Sequence, residues 1–375
     1  MPSHCARPRI RRASTRTSAA LCIYLLAIPL ALRAQTTAPK KSPPAQNKKN
    51  AAISPRVSLS PRYIPGQVFR YAMEFETTTA TTESGFASDP QGPSTLAITW
   101  DATIRMEVLP LDGATSAAPS AAAPGEKSST IPGGIRLRTT YEKSTASVRA
   151  DTFDPTADAT EQQYKSLVGK VVEFTLDAAG KVKSVSGLEG IVNGARAAQA
   201  ARDWIGRLDA TSGAPPGGVT IGEKWTSDQP ATSLPVAGLV WRTNSQYLRN
   251  EPCHSPNPDV PPSASSADSA ATAAAGETCA VILTHLSLIR PKPVRDPTPE
   301  EYRKNGVQTA GKWNGSGQSL IYVSLRSGAV VSVSQSGSED MDVTLTTKQN
   351  TSMRYAGTIL SRSQVALIGD DAMGK

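Results

Sequence analysis

Apolar and polar residues alternate with a period of two along most of this chain, the pattern of strands with one dry and one wet face. After a turn at Pro65-Gly66, Phe69, Tyr71, Met73 and Phe75 alternate with Arg70, Ala72, Glu74 and Glu76. Trp100, Ala102, Ile104, Met106 and Val108 then alternate with Asp101, Thr103, Arg105 and Glu107, and Ile135, Leu137, Thr139 and Tyr141 resume the pattern. The polar side carries charges of both signs, which can pair across neighbouring strands. Residues 145–150 read as a short strand and 151–163 as a loop or short helical turn.

One stretch changes period. Val171 to Leu208 opens as a strand, turns at Asp177-Ala178-Ala179-Gly180 and returns through Val182 and Val185. From Leu188 the apolar positions fall three or four apart: Ile191, Val192, Ala195, Ala198, Ala201, Ile205 and Leu208. That spacing predicts one principal amphipathic helix over about 188–208, with no second of comparable strength. A lone helix with an apolar stripe has to bury it on something, and everything else ordered reads as strand. The expected fold is therefore mainly β: an antiparallel curved sheet or half-barrel with one principal helix.

The run Ser212–Gly218 (SGAPPGG) breaks the chain into a β half with the hairpin–helix unit, 61–211, and a second β half, 219–368. The second half offers strands at Leu239–Arg249 and Cys279–Ile289, then a hairpin through Tyr322 and Gly328. Met341, Val343 and Leu345 alternate next, and strands at Met353–Leu360 and Val365–Ile368 close the chain. The hairpin at Phe174–Gly187 and the one at Tyr322–Ser334 share a β-run, a turn glycine and a Val-rich return, which points to a divergent duplication. Ala/Ser/Pro-rich inserts at 113–134 and 254–278 read as disordered, and 35–60 as a disordered Pro/Lys tether.

Residues 1–34 have the form of a secretory signal: Arg7, Arg9, Arg11, Arg12 and Arg16, an apolar run from Ala19 to Leu32, and a cleavage point at Ala34-Gln35. The run is shorter than the ~20 residues of a membrane span, and Cys22 lies inside it rather than after it, which argues against a lipid anchor. The expected location is periplasmic or extracellular. The whole chain has 40 Lys and Arg against 32 Asp and Glu. The leader holds six of the Arg and no acid, so 34 basic residues remain against 32 acidic ones. The basic balance belongs to targeting and argues against a nucleic-acid partner. Cleavage also removes Cys5 and Cys22. The remaining pair, Cys253 and Cys279, reads as a disulfide in an oxidising compartment, two buried thiols being the alternative.

Reactive centres are not evident in this sequence. His254 and His285 lie in no metal-binding frame, and His285 reads as a half-buried strand residue. No G-x-S-x-G elbow, dinucleotide glycine motif or P-loop occurs, and Gly315-Ser316-Gly317 reads as loop. Asn314-Gly315-Ser316 and Asn350-Thr351-Ser352 match the glycosylation sequon, a short pattern that recurs by chance. The densest acids, Glu339-Asp340 with Asp342 and the spaced Asp151, Asp154 and Asp158, read as solvated turns. No catalytic residue, metal or cofactor is expected. Low aromatic content without paired girdles argues against a transmembrane barrel.

The turn glycine before an aromatic strand (Pro65-Gly66 to Phe69, Gly222 to Trp225), the strand–Asp177-x-x-Gly180–Val182 hairpin and the following helix resemble an uncharacterised family of secreted bacterial β-rich proteins. The same outline is similar to the open half-barrels of periplasmic lipoprotein carriers. That resemblance implies a curved antiparallel sheet wrapping a helix and holding acyl chains, over roughly Pro65 to Ile368. The leading expectation is a non-catalytic protein that binds a lipid or other apolar or amphiphilic ligand. Phe69, Tyr71, Phe75, Trp100, Met106, Trp204 and Trp241 are its candidate cavity or core residues, with plain core packing the commoner role. A cell-envelope protein-interaction or scaffold module is the alternative, and a carboxylate-dependent hydrolase the least favoured.

Overall fold

The computed structural model describes residues 56–85, 93–110, 135–152, 154, 157–177, 182–191, 214–253 and 277–371. These residues build one antiparallel sheet of eleven strands in the order β5-β4-β3-β2-β1-β11-β10-β9-β8-β7-β6. The strands are β1 (Val68–Gly85), β2 (Ser94–Leu109), β3 (Ile135–Ala150), β4 (Val171–Leu176), β5 (Val182–Ser186), β6 (Lys224–Pro230), β7 (Val240–Pro252), β8 (Thr278–Ile289), β9 (Val307–Ser324), β10 (Val330–Thr347) and β11 (Ser352–Asp371). Two short helices accompany them, α1 (Ala157–Lys165) and α2 (Glu300–Lys304). The first five strands form one meander and the last six another. They join where β1 pairs β11, so both halves of the chain share one curved sheet whose outer strands, β5 and β6, leave it unclosed.

Several strands run longer than their alternation predicts, for two physical reasons. In β3 a bulge skips Glu142: Thr103 pairs Lys143 while Ile104 pairs Tyr141. The bulge shifts the inward phase from Tyr141 to Ser144, and one strand reads in sequence as two. In β1, β9 and β11 the inward positions become Thr, Ser and Gly, as at Thr77, Thr79, Gly317 and Ser361. Apolar alternation therefore fades although pairing continues. Gly315-Ser316-Gly317, expected as loop, lies inside β9. Residues 353–368, expected as two strands, belong to the single β11.

The segment expected as loop or short helical turn holds most of α1; Tyr164 of the helix and Leu167 just beyond it pack on the sheet against Phe75, Ile98, Trp100 and Ala102. Trp100 Nε1 donates to Ser144 Oγ at 2.9 Å, and Ser144 Oγ donates to the carbonyl of Tyr164 at 2.7 Å, tying helix to sheet. Of the principal helix expected at 188–208, Leu188–Gly190 forms a 3-10 turn, and the stretch from 192 onward, with Trp204, lies outside the described residues. The insert at 113–134, most of the one at 254–278 and His254 lie outside them as well. The end of the expected tether is part of the fold: Leu59 is buried against Val219, Trp225 and Tyr247, and Val57 pairs Val219 in an isolated bridge.

Cys253 and Cys279 form a disulfide with Cα atoms 5.0 Å apart, joining the end of β7 to the start of β8. Among the described residues no helix is long and apolar enough to cross a membrane.

Candidate functional site

Side chains of one sheet face, here the inner face, are mostly buried, and those of the outer face mostly exposed. The outer face carries the expected cross-strand ion pairs, among them Arg138–Glu173 at 2.9 Å and Arg242–Asp228 at 2.7 Å. Hydrogen bonds from the Arg242 guanidinium hold the Asp228 carboxyl below its usual range. His285 lies on this face and is exposed, not half-buried, because β8 directs its odd-numbered residues outward at that level.

Strand register arranges the inner face in rows running across the strands. Near one end, Tyr247, Ile282, Ile321, Val333, Val365 and Met73 follow one another from β7 to β1. Toward the other end, Trp313 pairs Met341, while Trp241, Leu286, Leu288, Val343 and Ile359 join the same cluster. The strand rise of ~3.3 Å per residue puts about 26 Å between Val333 and Met341 on β10. Between these apolar ends lie three rows. The first is Ser245, Thr284, Ser319, Gln335, Ser363 and Phe75; the second is Thr243, Leu286, Gly317, Gly337, Ser361 and Thr77; the third runs through Gly315, Glu339, Ile359 and Thr79.

Most hydroxyls of this band with a described partner bond within the sheet. Ser245 Oγ and Thr284 Oγ1 lie 3.0 Å apart, and Thr77 Oγ1 donates to the carbonyl of Leu360 at 3.1 Å. Ser361 differs: it is 3% exposed and its Oγ has no hydrogen-bond partner among the described residues. Its row neighbour on β10 is Gly337, followed on β9 by Gly317, so two adjacent strands place no side chain beside it.

At the Trp313 end of the band stands a buried carboxyl. Glu339, expected in a solvated turn, is on β10 and only 1% exposed. Trp313 Nε1 donates to its Oε2. Opposite Glu339 on β9 is Gly315, where an added Cβ would come 2.6 Å from Trp241 Cη2 and 3.3 Å from Glu339 Cγ. The Trp241 ring thus occupies the space over the glycine, beside the acid. Asp340 and Asp342 point outward, where Asp340 accepts from Thr358 and Asp342 pairs Arg354 at 2.7 Å. The inward phase of Glu339 could have been found by extending the alternation of Met341, Val343 and Leu345 back by two residues. Asp151 is exposed at the end of β3 and accepts the amide N–H of Thr95 at 2.8 Å.

Among the described residues, three connections close over the inner face. The β6–β7 loop lays Ala231, Val236 and Leu239 on the Trp241–Trp313 cluster, and the α1 region covers the Trp100 cluster. Residues 56–64 run along the opposite end. Arg56 pairs Glu223 at 2.9 Å, the Arg62 amide donates to Ser327 O at 2.7 Å, and the Tyr63 ring meets Phe69 edge-on at 5.7 Å.

Of the residues singled out in the sequence, Phe69 and Tyr71 are buried with half-buried Met106 in one cluster. Phe75 and Trp100 belong to a second cluster and Trp241 to a third. All face inward, and the register spreads them over the sheet rather than gathering them into one pocket. Burial raises the phenol pKa of Tyr141 and Tyr164, so both stay neutral in the core. Among the described residues no group of three or more His, Cys, Asp or Glu comes together to hold a metal.

No family model and no curated protein sequence matches the chain. Among solved structures, one describing lipid–protein interactions in lipovitellin superposes with a TM-score of 0.39 at 10% identity, over 83% of this chain and 26% of lipovitellin. The chain thus spans about a quarter of that protein. DynF of the dynemicin pathway of Micromonospora chersina covers 87% of this chain and 92% of its own at 9% identity, with a TM-score of 0.15. An AttH-type protein of Nitrosomonas europaea covers 78% and 92% at 10% identity, with a TM-score of 0.11. These superpositions are too loose to place the chain in a family; its own coordinates establish an open, curved, antiparallel β-sheet.

Proposed function

We propose that this chain is an exported, non-catalytic protein that holds an apolar or amphiphilic ligand against the inner face of its open sheet. One observation carries the reading: four separate clusters of buried apolar side chains line a single face of a single sheet, centred on Trp241, Tyr247, Trp100 and Phe69. A sheet folded only for stability would bury that face on a second layer. Here the described cover consists of short connections, an arrangement suited to parting around a guest. The resemblance to lipoprotein-carrier half-barrels agrees with this reading, and the Cys253–Cys279 disulfide supports an oxidising compartment.

The test is equilibrium titration of delipidated protein with a fluorescent fatty acid, together with mass spectrometry of protein taken from its native envelope. Saturable binding with a change in indole emission is expected. Absence of both binding and co-purified lipid would remove the proposal.

A further inference from the structure

We infer that the end of the sheet at which β1 and β6 begin is a docking edge for an anionic lipid surface, with Ile64 and Ile221 as its inserting side chains. Two turns at this end are built alike. In each, a glycine with positive φ, Gly66 at 92° or Gly222 at 88°, follows Pro65 or Ile221. The Gln67 amide donates to Ile64 O at 3.0 Å, and the Glu223 amide to Thr220 O at 2.9 Å. The side chains of Gln67 and Glu223 accept the amides of Ile64 and Thr220 at 2.8 and 2.9 Å. Each glycine amide then donates to the adjoining strand, at Val108 O or Tyr247 O, and the amides of those two residues return bonds to Gln67 O and Glu223 O. Both turns are thus fixed through their backbones, and neither buries its isoleucine: Ile64 is 61% exposed and Ile221 47%. One bare isoleucine on a surface is ordinary. Two of them, at neighbouring positions of equivalent turns on one end of one sheet, make a pair of apolar tips. Six strand spacings separate β1 from β6, about 29 Å along the sheet.

The charge around the tips selects the occupant. Residues 56–63 cross this end from one turn to the other: Val57 pairs Val219, the Arg62 amide donates to Ser327 O, and the Tyr63 ring meets Phe69. Arg56, Arg62, Lys224 and Arg326 are exposed here. The acids beside them, Glu223 and Glu277, pair Arg56 and Arg326. The chain that enters the fold at Arg56 brings Lys40, Lys41, Lys48 and Lys49, and no Asp or Glu occurs between Gln35 and Gln67. A small apolar anchor alone attaches a protein to a bilayer only marginally, and a polybasic segment is the second signal that makes attachment stable. Each basic side chain close to an anionic surface strengthens binding about fivefold. A fluid bilayer receives two tips this far apart without a matching shape, and its acidic headgroups meet the bases between and behind them. The inference stands whether or not the inner face holds a ligand.

The test is flotation of the exported protein with vesicles of pure phosphatidylcholine and of phosphatidylcholine mixed with phosphatidylglycerol in equal amounts. Binding to the mixed vesicles is expected to exceed binding to the neutral ones by about tenfold or more and to fall as salt is raised. Ile64→Ser/Ile221→Ser should weaken binding to the mixed vesicles about tenfold. Replacing Lys40, Lys41, Lys48 and Lys49 together by Gln should remove most of the preference for them. Insertion is read separately: brominated lipid should quench the emission of Ile221→Trp beyond its effect on the native protein. Both isoleucines are exposed and the turns are held by other groups, so these variants are expected to fold. The lipid and salt dependence of the native protein stands without them. Equal binding to the two vesicle types, unchanged binding of Ile64→Ser/Ile221→Ser, or an Ile221→Trp indole that brominated lipid does not reach would overturn the assignment. So would absence of vesicle binding, and crosslinking of position 221 to another protein in whole cells would then identify this end as a protein interface instead.

Discussion

The indole N–H of Trp313 on β9 donates to the carboxyl of Glu339 on β10, inside a cluster that is otherwise apolar. Removing the acceptor strands a buried donor, which costs about 1–3 kcal/mol. Glu339→Leu should therefore lower stability by that order, and Glu339→Gln, which keeps an oxygen in place, by less than half as much. The double variant Glu339→Leu/Trp313→Phe removes donor and acceptor together and should recover part of the loss. Urea unfolding followed by tryptophan emission measures all three. Equal losses in the Leu and Gln variants would show that the Trp313 bond contributes little.

Gly315 owes its identity to Trp241. A methyl group there would meet Cη2 of the ring at 2.6 Å, below any normal contact. Gly315→Ala is expected to destabilise by about 1–3 kcal/mol through overpacking. In a Trp241→Leu background the same substitution should cost much less, because the colliding atoms are gone. Thermal unfolding of the four proteins in this cycle gives the coupling, and strict additivity would mean that the ring moves aside without cost.

Strands with large inward side chains are readable from sequence, because β1 from Phe69 to Phe75 and β2 from Trp100 to Val108 alternate in full view. The disulfide and the turn at Gly328, with φ +69°, were equally accessible. The band across the middle was hidden by its own chemistry: Thr77, Gly317, Gly337 and Ser361 point inward but have the composition of loops. Glu339 reads as a solvated turn in sequence because it is a carboxylate beside Asp340, and only the phase of the strand sends the two to opposite faces. Joining β1 to β11 across nearly the whole chain is a long-range pairing that no local pattern encodes.

The bridge between Cys253 and Cys279 closes a loop with a sequence separation of 26. In the chain-entropy picture a loop of this size contributes roughly 3 to 4 kcal/mol. The sulfurs are packed with Val331 and half-buried Tyr322, so Cys253→Ala/Cys279→Ala also loses buried contact at this site. The expected result is a lower urea midpoint, with hydrogen exchange rising first at the paired ends of β7 and β8. Loss of protection that begins at β1 and β2 instead would show that the bridge does not hold this hairpin together.

Acid should loosen the segment that closes the inner face at its Leu59 end. Glu223 is held below its ordinary value of 4.5, first by the Thr220 amide N–H and then by the Arg56 guanidinium, which ties residues 56–64 to the start of β6. A carboxyl whose folded pKa is depressed stabilises the fold above its unfolded pKa, and that contribution is lost as the pH falls through the folded value. The tie should therefore be intact at neutral pH and weaken progressively below about 4.5. Glu223→Gln removes the titration, so its stability should change less between pH 5 and pH 3 than that of the native protein, in rough terms set by one carboxyl. Hydrogen exchange at Val57 and Val219, whose amides bond each other's carbonyls at 2.8 Å, reports the opening directly. If acid speeds exchange at these two amides equally in the native protein and in Glu223→Gln, the Arg56–Glu223 pair is not what fastens the segment.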